Sequence, residues 1–192
     1  MEQDNQPDIA AILQGDARAF AVLVDRYKNM VYTVALRMLK HSEEAEEVAQ
    51  DTFIKVFKSL KRFKGDSKLS TWIYRIAYNT CLDRLKSKSR DRTNVALDTV
   101  QGFELQNMEN ALEVMIQNEK QELIRACVQQ LAPKDAALLT LFYFEEKNLS
   151  ELGKILKMKE SAVKVGLFRA RRRMAKILKK SLQSEIIKPY ER

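Results

Sequence analysis

The chain has 192 residues, of which 45% are hydrophobic and 31% are charged, and it carries a net charge of +8 at pH 7. Five glycines and three prolines are too few for a turn-rich β fold, and two cysteines with one histidine are too few for a disulfide framework, a zinc site or a Ser-His-Asp triad. No apolar run is long enough to cross a bilayer and the N-terminus does not resemble a signal peptide, so we expect a reduced, cytoplasmic protein without membrane insertion.

Three helices are predicted in the first half of the chain. The first begins near Asp16, where apolar residues recur at steps of three and four. The second begins at Ser42, predicted as an N-cap, and has glutamates in its first turn, where the helix dipole favours them. The third begins at Ser70, also predicted as an N-cap, and carries Trp72 on its apolar side. The buried stripe predicted for the second helix contains Ala45, Val48, Ala49, Phe53, Val56, Phe57 and Leu60.

The second half is predicted to be a linker followed by helices. Residues 93–107 show no clear period, and helical periodicity returns between Met108 and Leu131. Pro133 is predicted at the first position of the next helix. Two more helices are predicted, at about 149–156 and 160–181.

The positive charge lies in two segments that an acidic segment separates. Residues 61–93 hold ten Lys or Arg against three Asp or Glu, residues 132–192 hold fifteen against seven, and residues 94–131 between them hold two against six. This pattern predicts two contacts on one long polyanion, although any single cluster is equally compatible with an ordinary solvated surface. We predict an all-α fold with two small helical domains, at 1–93 and 119–182, joined by an acidic linker at 94–118 and followed by a tail at 183–192.

The last two predicted helices have the pattern of a helix-turn-helix. Asn148 and Glu151 form a capping box at the start of a short amphipathic helix, and a three-residue connection leads to a longer basic helix, which would enter a DNA major groove. A membrane or a calmodulin-like partner is a less favoured alternative, because it leaves the capped helix without a role. The face opposite the apolar stripe carries Ser161, Lys164, Val165, Phe168 and Arg172, flanked by Arg169 and Arg171.

Aromatic and basic side chains alternate between Phe63 and Arg84. This mixture suits single-stranded nucleic acid, because rings stack on unpaired bases while cations hold phosphates. Trp72 is better explained as a core residue, since it lies on the apolar side of its helix. The segment Phe63–Leu69, with Gly65 and small polar residues, is predicted to contact a flipped base.

These motifs resemble those of bacterial RNA polymerase sigma factors of the extracytoplasmic-function (ECF) group. Residues 44–53 (EAEEVAQDTF) are similar to the region 2 helix that docks on the β′ clamp of the polymerase. Residues 63–67 (FKGDS) and 70–79 (STWIYRIAYN) resemble the segment that recognises and melts the −10 promoter element. Leu131–Pro133 and residues 151–174 resemble region 4, which binds the −35 element. The resemblance covers about 16–180 in the order of the family.

The resemblance implies a protein that is not an enzyme and needs no cofactor or metal. It would bind core RNA polymerase at the β′ clamp and the β flap, direct it to promoter DNA and help to open that DNA, with an anti-sigma factor as a further partner. The resemblance assigns polymerase binding to Glu46, Glu47, Gln50, Asp51 and Phe53. It assigns −10 DNA binding to Phe63, Lys64, Ser67, Lys68, Arg75, Tyr78 and Asn79. It assigns −35 DNA binding to Ser161, Lys164, Val165, Phe168, Arg169, Arg171 and Arg172.

The longer basic helix of the predicted helix-turn-helix, which we call the recognition helix, departs from the family at two positions. Val165 and Gly166 stand where the family usually has a serine or similar polar residue and then an arginine. A helical wheel places Val165 outward with Lys164 and Phe168, and Gly166 toward the core flank. We therefore expect the −35 sequence preference to differ from that of relatives.

Two other functions compete with this interpretation. A stand-alone helix-turn-helix regulator would use residues 1–93 for dimerisation or effector binding and would have no use for the segment Phe63–Leu69. An enzyme acting on RNA or nucleotides is disfavoured, because the sequence offers no paired carboxylates near a base, no Gly-rich phosphate loop and no metal-ligand cluster.

Overall fold

The computed structural model describes residues 7–90 and 111–187, and the side chains of 7–89 and 121–182. The regular structure in these residues is helical, which confirms the all-α fold. The elements in chain order are α1 (Ile9–Leu13), α2 (Ala17–Leu39), α3 (Ser42–Ser59), a 3-10 turn (Leu60–Arg62), α4 (Leu69–Arg90), α5 (Ala111–Gln130), α6 (Pro133–Leu139), a π-helical turn (Thr140–Phe144), α7 (Leu149–Leu156) and α8 (Glu160–Ile187). The stretch without a clear period, residues 93–107, lies outside the described residues.

Two helix starts are capped by side chains, at Asp16 before α2 and at Asn148 before α7. The Asp16 carboxylate accepts hydrogen bonds from the backbone N–H groups of Arg18, at 2.8 Å, and Ala19, at 3.2 Å. At the start of α7, the Asn148 side chain accepts from the Glu151 N–H at 2.9 Å, and the Glu151 carboxylate accepts from the Asn148 N–H at 3.0 Å. The predicted capping box is therefore present with both of its hydrogen bonds.

Two other predicted caps are misplaced, one by one residue and the other by two. The residue before α3 is His41, whose extended backbone (φ −138°, ψ 124°) makes it the N-cap, although its side chain makes no capping hydrogen bond. Ser42 is therefore the first helical residue, and Ser70 likewise lies inside the first turn of α4, which begins at Leu69. A polar residue near a helix start satisfies the sequence pattern at either position, so the pattern alone misplaces the boundary.

One short helix was not predicted, and two other helices extend across predicted domain limits. α1 has only five residues, too few to show a period, and the Asp8 side chain caps it by accepting from the Ala11 N–H at 3.0 Å. α5 begins at Ala111, so the last part of the predicted 94–118 linker is helical. α8 continues to Ile187, past the predicted start of the tail at 183.

The first four helices enclose a core of their own, which we call the N-terminal core. It consists of Ile12, Leu23, Val31, Phe53, Val56, Leu60, Ile73 and Ala77. Trp72 is half-buried against this core, in agreement with its predicted structural role.

A second core joins the two halves of the chain, and we call it the shared core. From α2, α3 and α4 it contains Val34, Ala35, Met38, Leu39, Ala45, Val48, Tyr74, Tyr78 and Cys81. From α5 to α8 it contains Val128, Leu131, Ala136, Ala137, Leu138, Leu139, Leu141, Leu152, Ile155, Val163, Leu167 and Ala170. The helical halves therefore pack against each other, an arrangement that the prediction of two domains separated by a linker did not include.

Candidate nucleic-acid and polymerase interfaces

The predicted polymerase-binding residues on α3 are mostly at the surface. Glu46, Glu47, Gln50 and Asp51 are all exposed. Glu47 also forms an ion pair with Arg84 of α4, which gives it a structural partner within the chain. The polar side chains of the other three residues are not part of either hydrophobic core.

Phe53 does not belong to this surface. Its side chain is only 8% exposed and packs in the N-terminal core, because its position on α3 points between α2 and α4. The apolar part of the outer face comes instead from Ile54, 51% exposed, and Phe57, 53% exposed. Phe57 was predicted to be buried, but about half of its side chain is exposed, and its ring makes a T-shaped contact with Phe20 at 5.0 Å between ring centroids. We therefore correct the predicted contact set by removing Phe53.

The segment predicted to contact the −10 element joins the 3-10 turn to α4. Phe63 and Trp72 pack together, with ring centroids 5.4 Å apart, so the Phe63 ring is only partly available. Gly65 has φ +79°, a left-handed conformation that favours glycine. Lys64 is exposed and Ser67 is half-exposed.

The −10 residues predicted on α4 divide into accessible and buried ones. Arg75 is exposed, and Asn79 is half-exposed with its amide donating to the Arg75 carbonyl at 2.7 Å. Tyr78 is only 6% exposed and packs in the shared core, so it is not available to DNA in this conformation and leaves the predicted contact set. Its position was attractive in the sequence because an aromatic residue among cations matches single-strand binding.

Several contacts join this segment and α4 to the C-terminal half. The Lys68 ammonium lies 3.0 Å from the Glu151 carboxylate, and the Lys154 ammonium donates to the Asp66 carbonyl at 2.9 Å. The Tyr74 hydroxyl donates to the Glu145 carboxylate. We call these three contacts the latch. Tyr74 and Glu145 were not predicted as site residues, since nothing local links residues 71 positions apart.

Burial and neighbouring groups shift the pKa values of two latch residues, Tyr74 and Glu151. Burial and the hydrogen bond to Glu145 raise the pKa of Tyr74, so its hydroxyl stays protonated and donating. Burial opposes ionisation of Glu151, but the Asn148 N–H and the Lys68 ammonium outweigh it and lower the pKa of Glu151. A depressed carboxyl pKa means that the Lys68 contact is present at neutral pH and is lost as the pH falls through that pKa.

The turn between α7 and α8 is closed by a left-handed residue and a glycine. Lys157 has φ 54°, and the Met158 N–H donates to the Gly153 carbonyl at 2.9 Å. A Cβ atom at Gly153 would lie 2.8 Å from the Met158 carbonyl oxygen, so a side chain does not fit there. A Cβ at Gly166 would lie 3.0 Å from Leu138 Cδ2, which shows that α8 approaches α6 closely at this position.

All seven predicted −35 residues on α8 are exposed: Ser161, Lys164, Val165, Phe168, Arg169, Arg171 and Arg172. Val165 is 48% exposed and Phe168 is 58% exposed, on a shallow open groove that Arg169 and Arg172 also line. The Arg172 guanidinium lies over the Phe168 ring at 5.8 Å. The outward position of Val165 and the inward position of Gly166 agree with the helical wheel.

Two aromatic side chains, which precede α7, stack against Arg171 of α8. Its guanidinium lies 5.6 Å from the ring centroid of Phe142 and 5.4 Å from that of Tyr143. Such stacking restricts the side chain without neutralising its charge. Arg171 is therefore preorganised for an anionic partner.

Comparison with known proteins agrees with this geometry. Residues 23–91 match the sigma-70 region 2 family, and residues 121–174 match the sigma-70 region 4 family. The chain is 32% identical over 188 residues to the ECF RNA polymerase sigma factor SigW of Bacillus subtilis, covering 93% of this chain and 99% of the relative. The chain belongs to the ECF sigma factors. The RNA polymerase sigma-H factor of Pseudomonas aeruginosa is 31% identical over 188 residues, with 95% of this sigma factor and 97% of the relative covered. Like its family, this sigma factor directs promoter-specific transcription.

Solved structures have the same fold as this sigma factor. The sigma factor RpoE of Bartonella quintana, solved with the anti-sigma factor NepR, matches with a TM-score of 0.68 and 18% identity, over 85% of this chain and 98% of that chain. CnrH, solved with the cytosolic domain of CnrY, matches with a TM-score of 0.61 and 20% identity, over 90% and 95%. At this identity the likeness is evidence for the fold.

Two further properties of the sigma factor concern the described residues only. None of the helices in residues 7–90 and 111–187 combines the length and apolar character needed to cross a membrane. Within the same residues, no group of three or more His, Cys, Asp or Glu side chains is placed to hold a metal ion.

Alanine substitutions at the two glycines of the helix-turn-helix, Gly153 and Gly166, are expected to change the stability of the sigma factor by different amounts. Gly153→Ala is expected to lower the free energy of unfolding by about 2 kcal/mol or more, because the new methyl group meets a backbone oxygen that cannot move independently. Gly166→Ala is the matched control, with an expected loss of about 1 kcal/mol or less, because it meets only the end of the Leu138 side chain. Urea denaturation followed by circular dichroism measures both, and equal losses would contradict the tight turn.

Proposed function

We propose that three surfaces of this sigma factor carry out different steps of transcription initiation. The outer face of α3 binds core RNA polymerase, the segment before α4 contacts melted −10 DNA, and α8 contacts the −35 element. The observation that carries this proposal is the arrangement of exposed functional groups on three different elements, with polar and apolar side chains on α3 and cations on the other two.

The α3 surface combines negative charge with apolar area. Glu46, Gln50 and Asp51 are exposed, and Ile54 and Phe57 extend the same side of the helix toward its C-terminal end. An interface of this kind has an apolar centre that supplies affinity and charged neighbours that supply orientation. Polymerase docking accounts for two exposed large apolar side chains that the fold itself leaves uncovered.

The −10 surface is now smaller than the sequence suggested. Lys64 and Arg75 are exposed cations for phosphates, Phe63 and Asn79 are partly accessible, and Lys68 reaches DNA once it leaves Glu151. This set favours unpaired DNA, since it offers a ring for stacking but no helix shaped for the major groove.

The −35 surface fits duplex DNA. α8 follows a short capped helix and a tight turn, and its exposed face carries Arg169, Arg171 and Arg172 beside Val165 and Phe168. Arginines at the edges of such a helix hold phosphates or guanine, while the apolar pair contacts thymine methyl groups.

We also propose that an anti-sigma factor regulates this protein in the cytoplasm. Two proteins of the same fold were solved as complexes, RpoE with the anti-sigma factor NepR and CnrH with the cytosolic domain of CnrY. Promoter DNA and core polymerase, the partners proposed above, are in the cytoplasm of a bacterium. No step of this function requires catalysis by the chain itself.

The test is run-off transcription with core RNA polymerase of the same organism on fragmented genomic DNA. Sequencing of the transcript 5′ ends is expected to give start sites that share −10 and −35 elements and that disappear without the sigma factor. Filter binding to the enriched promoters, with and without core polymerase, distinguishes the rival regulator, which would bind duplex DNA equally well alone. Tight binding without core polymerase and no run-off product would contradict the proposal.

Val165 is expected to determine one position of the −35 element. An exposed valine cannot donate a hydrogen bond, and the thymine methyl is the main apolar group of the major groove. Replacing thymine by uracil at that position is expected to cost about 1 kcal/mol of binding free energy for the native chain and almost nothing for Val165→Ser.

The measurement is fluorescence anisotropy with promoter duplexes carrying uracil at each thymine in turn. Arg169→Ala is the control variant, and it is expected to weaken binding to every duplex and to reduce the salt dependence, because it removes a charge without a base preference. Equal uracil sensitivity in the native chain and Val165→Ser would show that Val165 does not contact the methyl group.

A further inference from the structure

α8 continues past the part of the chain that matches sigma-70 region 4. The match ends at residue 174, whereas the helix ends at Ile187. The side chains of this continuation are described up to residue 182, and three of them are exposed lysines, Lys176, Lys179 and Lys180, which we call the lysine extension. From residue 161 to residue 184 the sequence has no Asp or Glu, so this part of the helix is uniformly basic in its charge.

The lysine extension lies on the same face of α8 as Val165. At about 100° per residue, all three lysines point within about 60° of the direction of Val165. Lys176 also lines the same shallow groove as Val165 and Phe168. The lysine extension therefore continues the surface that we propose for −35 DNA.

Packing on the opposite face holds this continuation in place. Met174 and Ile177 are partly buried against the shared core, and α8 packs along α5, where Ser181 Oγ lies 4.0 Å from Cys127 Sγ. A basic amphipathic helix that binds a membrane inserts its apolar face into the lipid. In α8 most of that face is already covered by protein, so nucleic acid is a better partner for the lysines than a lipid surface.

The charge of the lysine extension is not balanced within the described part of the chain. There, no carboxylate forms an ion pair with any of the three lysines. The neighbouring Arg173 differs, because it pairs with Asp135 of α6 at 2.5 Å. Lys176 lies three and four positions before the other two lysines, and like charges at these spacings repel each other on a helix. A polyanion bound along this face would relieve the repulsion.

The length of α8 determines which part of duplex DNA the lysines can reach. A recognition helix contacts base edges with its N-terminal residues. At about 1.5 Å per residue, Lys176 lies about 17 Å and Lys180 about 23 Å along the helix axis from Val165. The major groove is about 12 Å wide, and it curves away from a straight helix. With Val165 at the base edges, the lysine extension therefore lies at the sugar-phosphate backbone that borders the groove.

We propose that the lysine extension binds DNA phosphates beside the −35 element, so that α8 combines a sequence-independent contact with its base contacts. This inference rests on the proposed role of α8 in −35 binding. It divides the helix into two parts with different effects. The three lysines determine affinity and its salt dependence, whereas Val165 determines base preference.

The first experiment removes the charge of the lysine extension from the full chain. The variant Lys176→Gln/Lys179→Gln/Lys180→Gln keeps polar side chains on the exposed face and leaves the apolar face unchanged. Fluorescence anisotropy measures binding to a −35 duplex and to a scrambled duplex of the same composition, between about 50 and 200 mM salt. Circular dichroism tests whether the helices are retained.

The control variant is Arg18→Gln/Lys28→Gln/Lys86→Gln. It removes the same charge from exposed positions of the N-terminal half that belong to none of the three proposed surfaces. Any loss of affinity that comes from net charge alone is therefore equal in the two variants.

The lysine variant is expected to bind both duplexes about tenfold more weakly than the control variant, with its preference for the −35 duplex unchanged. The slope of log affinity against log salt is expected to become less steep by about two to three. Equal affinities in the two variants would overturn the proposal. A native chain that binds both duplexes equally would contradict base recognition by α8, while the comparison of the variants would still decide the phosphate contact.

The second experiment locates the lysine extension on a promoter. Lys179→Cys is labelled with a maleimide that carries iron-EDTA, a reagent that cleaves the nearby DNA backbone. The native Cys81 and Cys127 are fully buried and remain unlabelled. Lys86→Cys, labelled in the same way on α4, is the control. Cleavage of a duplex promoter is mapped with the labelled chain bound to core RNA polymerase.

The label at position 179 is expected to cleave within about five base pairs of the edge of the −35 element, about 17 Å at a rise of about 3.4 Å per base pair, and the label at position 86 is not. No cleavage there, or the same cleavage from both labels, would overturn the proposal. If core polymerase with the unlabelled chain formed no promoter complex, the proposed function would fail, and the anisotropy measurements would still decide the lysine extension because they need no polymerase.

Discussion

Charge reversal on α3, with Glu46→Lys/Asp51→Lys, is expected to abolish binding of the sigma factor to core RNA polymerase. Both carboxylates are exposed and neither forms a described ion pair or hydrogen bond, although burial and the charge of Glu46 raise the pKa of Tyr32. The substitution therefore changes a surface without disturbing a core. Reversing two charges in an interface replaces attraction by repulsion and is expected to weaken binding by at least about 100-fold. Glu47 is left unchanged because its reversal would also break the pair with Arg84.

The measurement is surface plasmon resonance on immobilised core polymerase, with circular dichroism as the test of folding. Glu146→Lys/Glu160→Lys is the matched control, because it makes the same change of net charge at exposed positions of the C-terminal half. The control variant is expected to bind core polymerase as the native chain does. Full binding by the α3 variant would show that polymerase docks elsewhere.

Replacement of residues 64–68 by alternating glycine and serine is expected to block promoter opening while sparing polymerase and −35 binding. The substitution removes Lys64 and Lys68, the cations of the segment, and leaves α3 and α8 intact. Contacts to unpaired bases and phosphates contribute about 1–3 kcal/mol each, so open-complex formation on duplex DNA is expected to fall about tenfold or more.

A promoter with a preformed bubble separates melting from binding. On this template the variant is expected to recover much of its run-off activity, because the DNA is already unpaired. Permanganate reactivity of the −10 thymines measures opening directly, and Lys28→Ser/Lys58→Ser is a control that removes two exposed cations from α2 and α3. Unchanged permanganate reactivity in the loop variant would contradict the assignment.

Local patterns in the sequence predicted some local structural features correctly. The capping box of Asn148 and Glu151 and the outward and inward positions of Val165 and Gly166 depend on residues within about one helical turn. Interactions of that range are encoded in the spacing of a few neighbouring residues. The order of the two sigma regions is likewise contained in the motifs themselves.

The tertiary structure decided which side chains on a predicted face are accessible. Phe53 and Phe57 lie one turn apart on α3 and look equivalent in the sequence, yet the first is covered by neighbouring helices and the second is exposed. Tyr78 looks like a stacking residue among cations, but packing of the two halves buries it. Burial depends on where other helices pass, and no local period carries that information.

The sequence by itself determined the helices, the two regions and the chemistry of their exposed faces, because propensity, capping and charge act over a few residues. Only the tertiary structure decided that the two halves share a core and that Tyr74 meets Glu145 across 71 positions. α2 and α4 carry apolar side chains that are not part of the N-terminal core, and α6 and α7 pack on these side chains. This packing brings Tyr74 and Glu145 together. The physical reason is that the hydrophobic effect is not directional. A sequence pattern therefore predicts that a helix has an apolar face but does not predict which helix packs against that face.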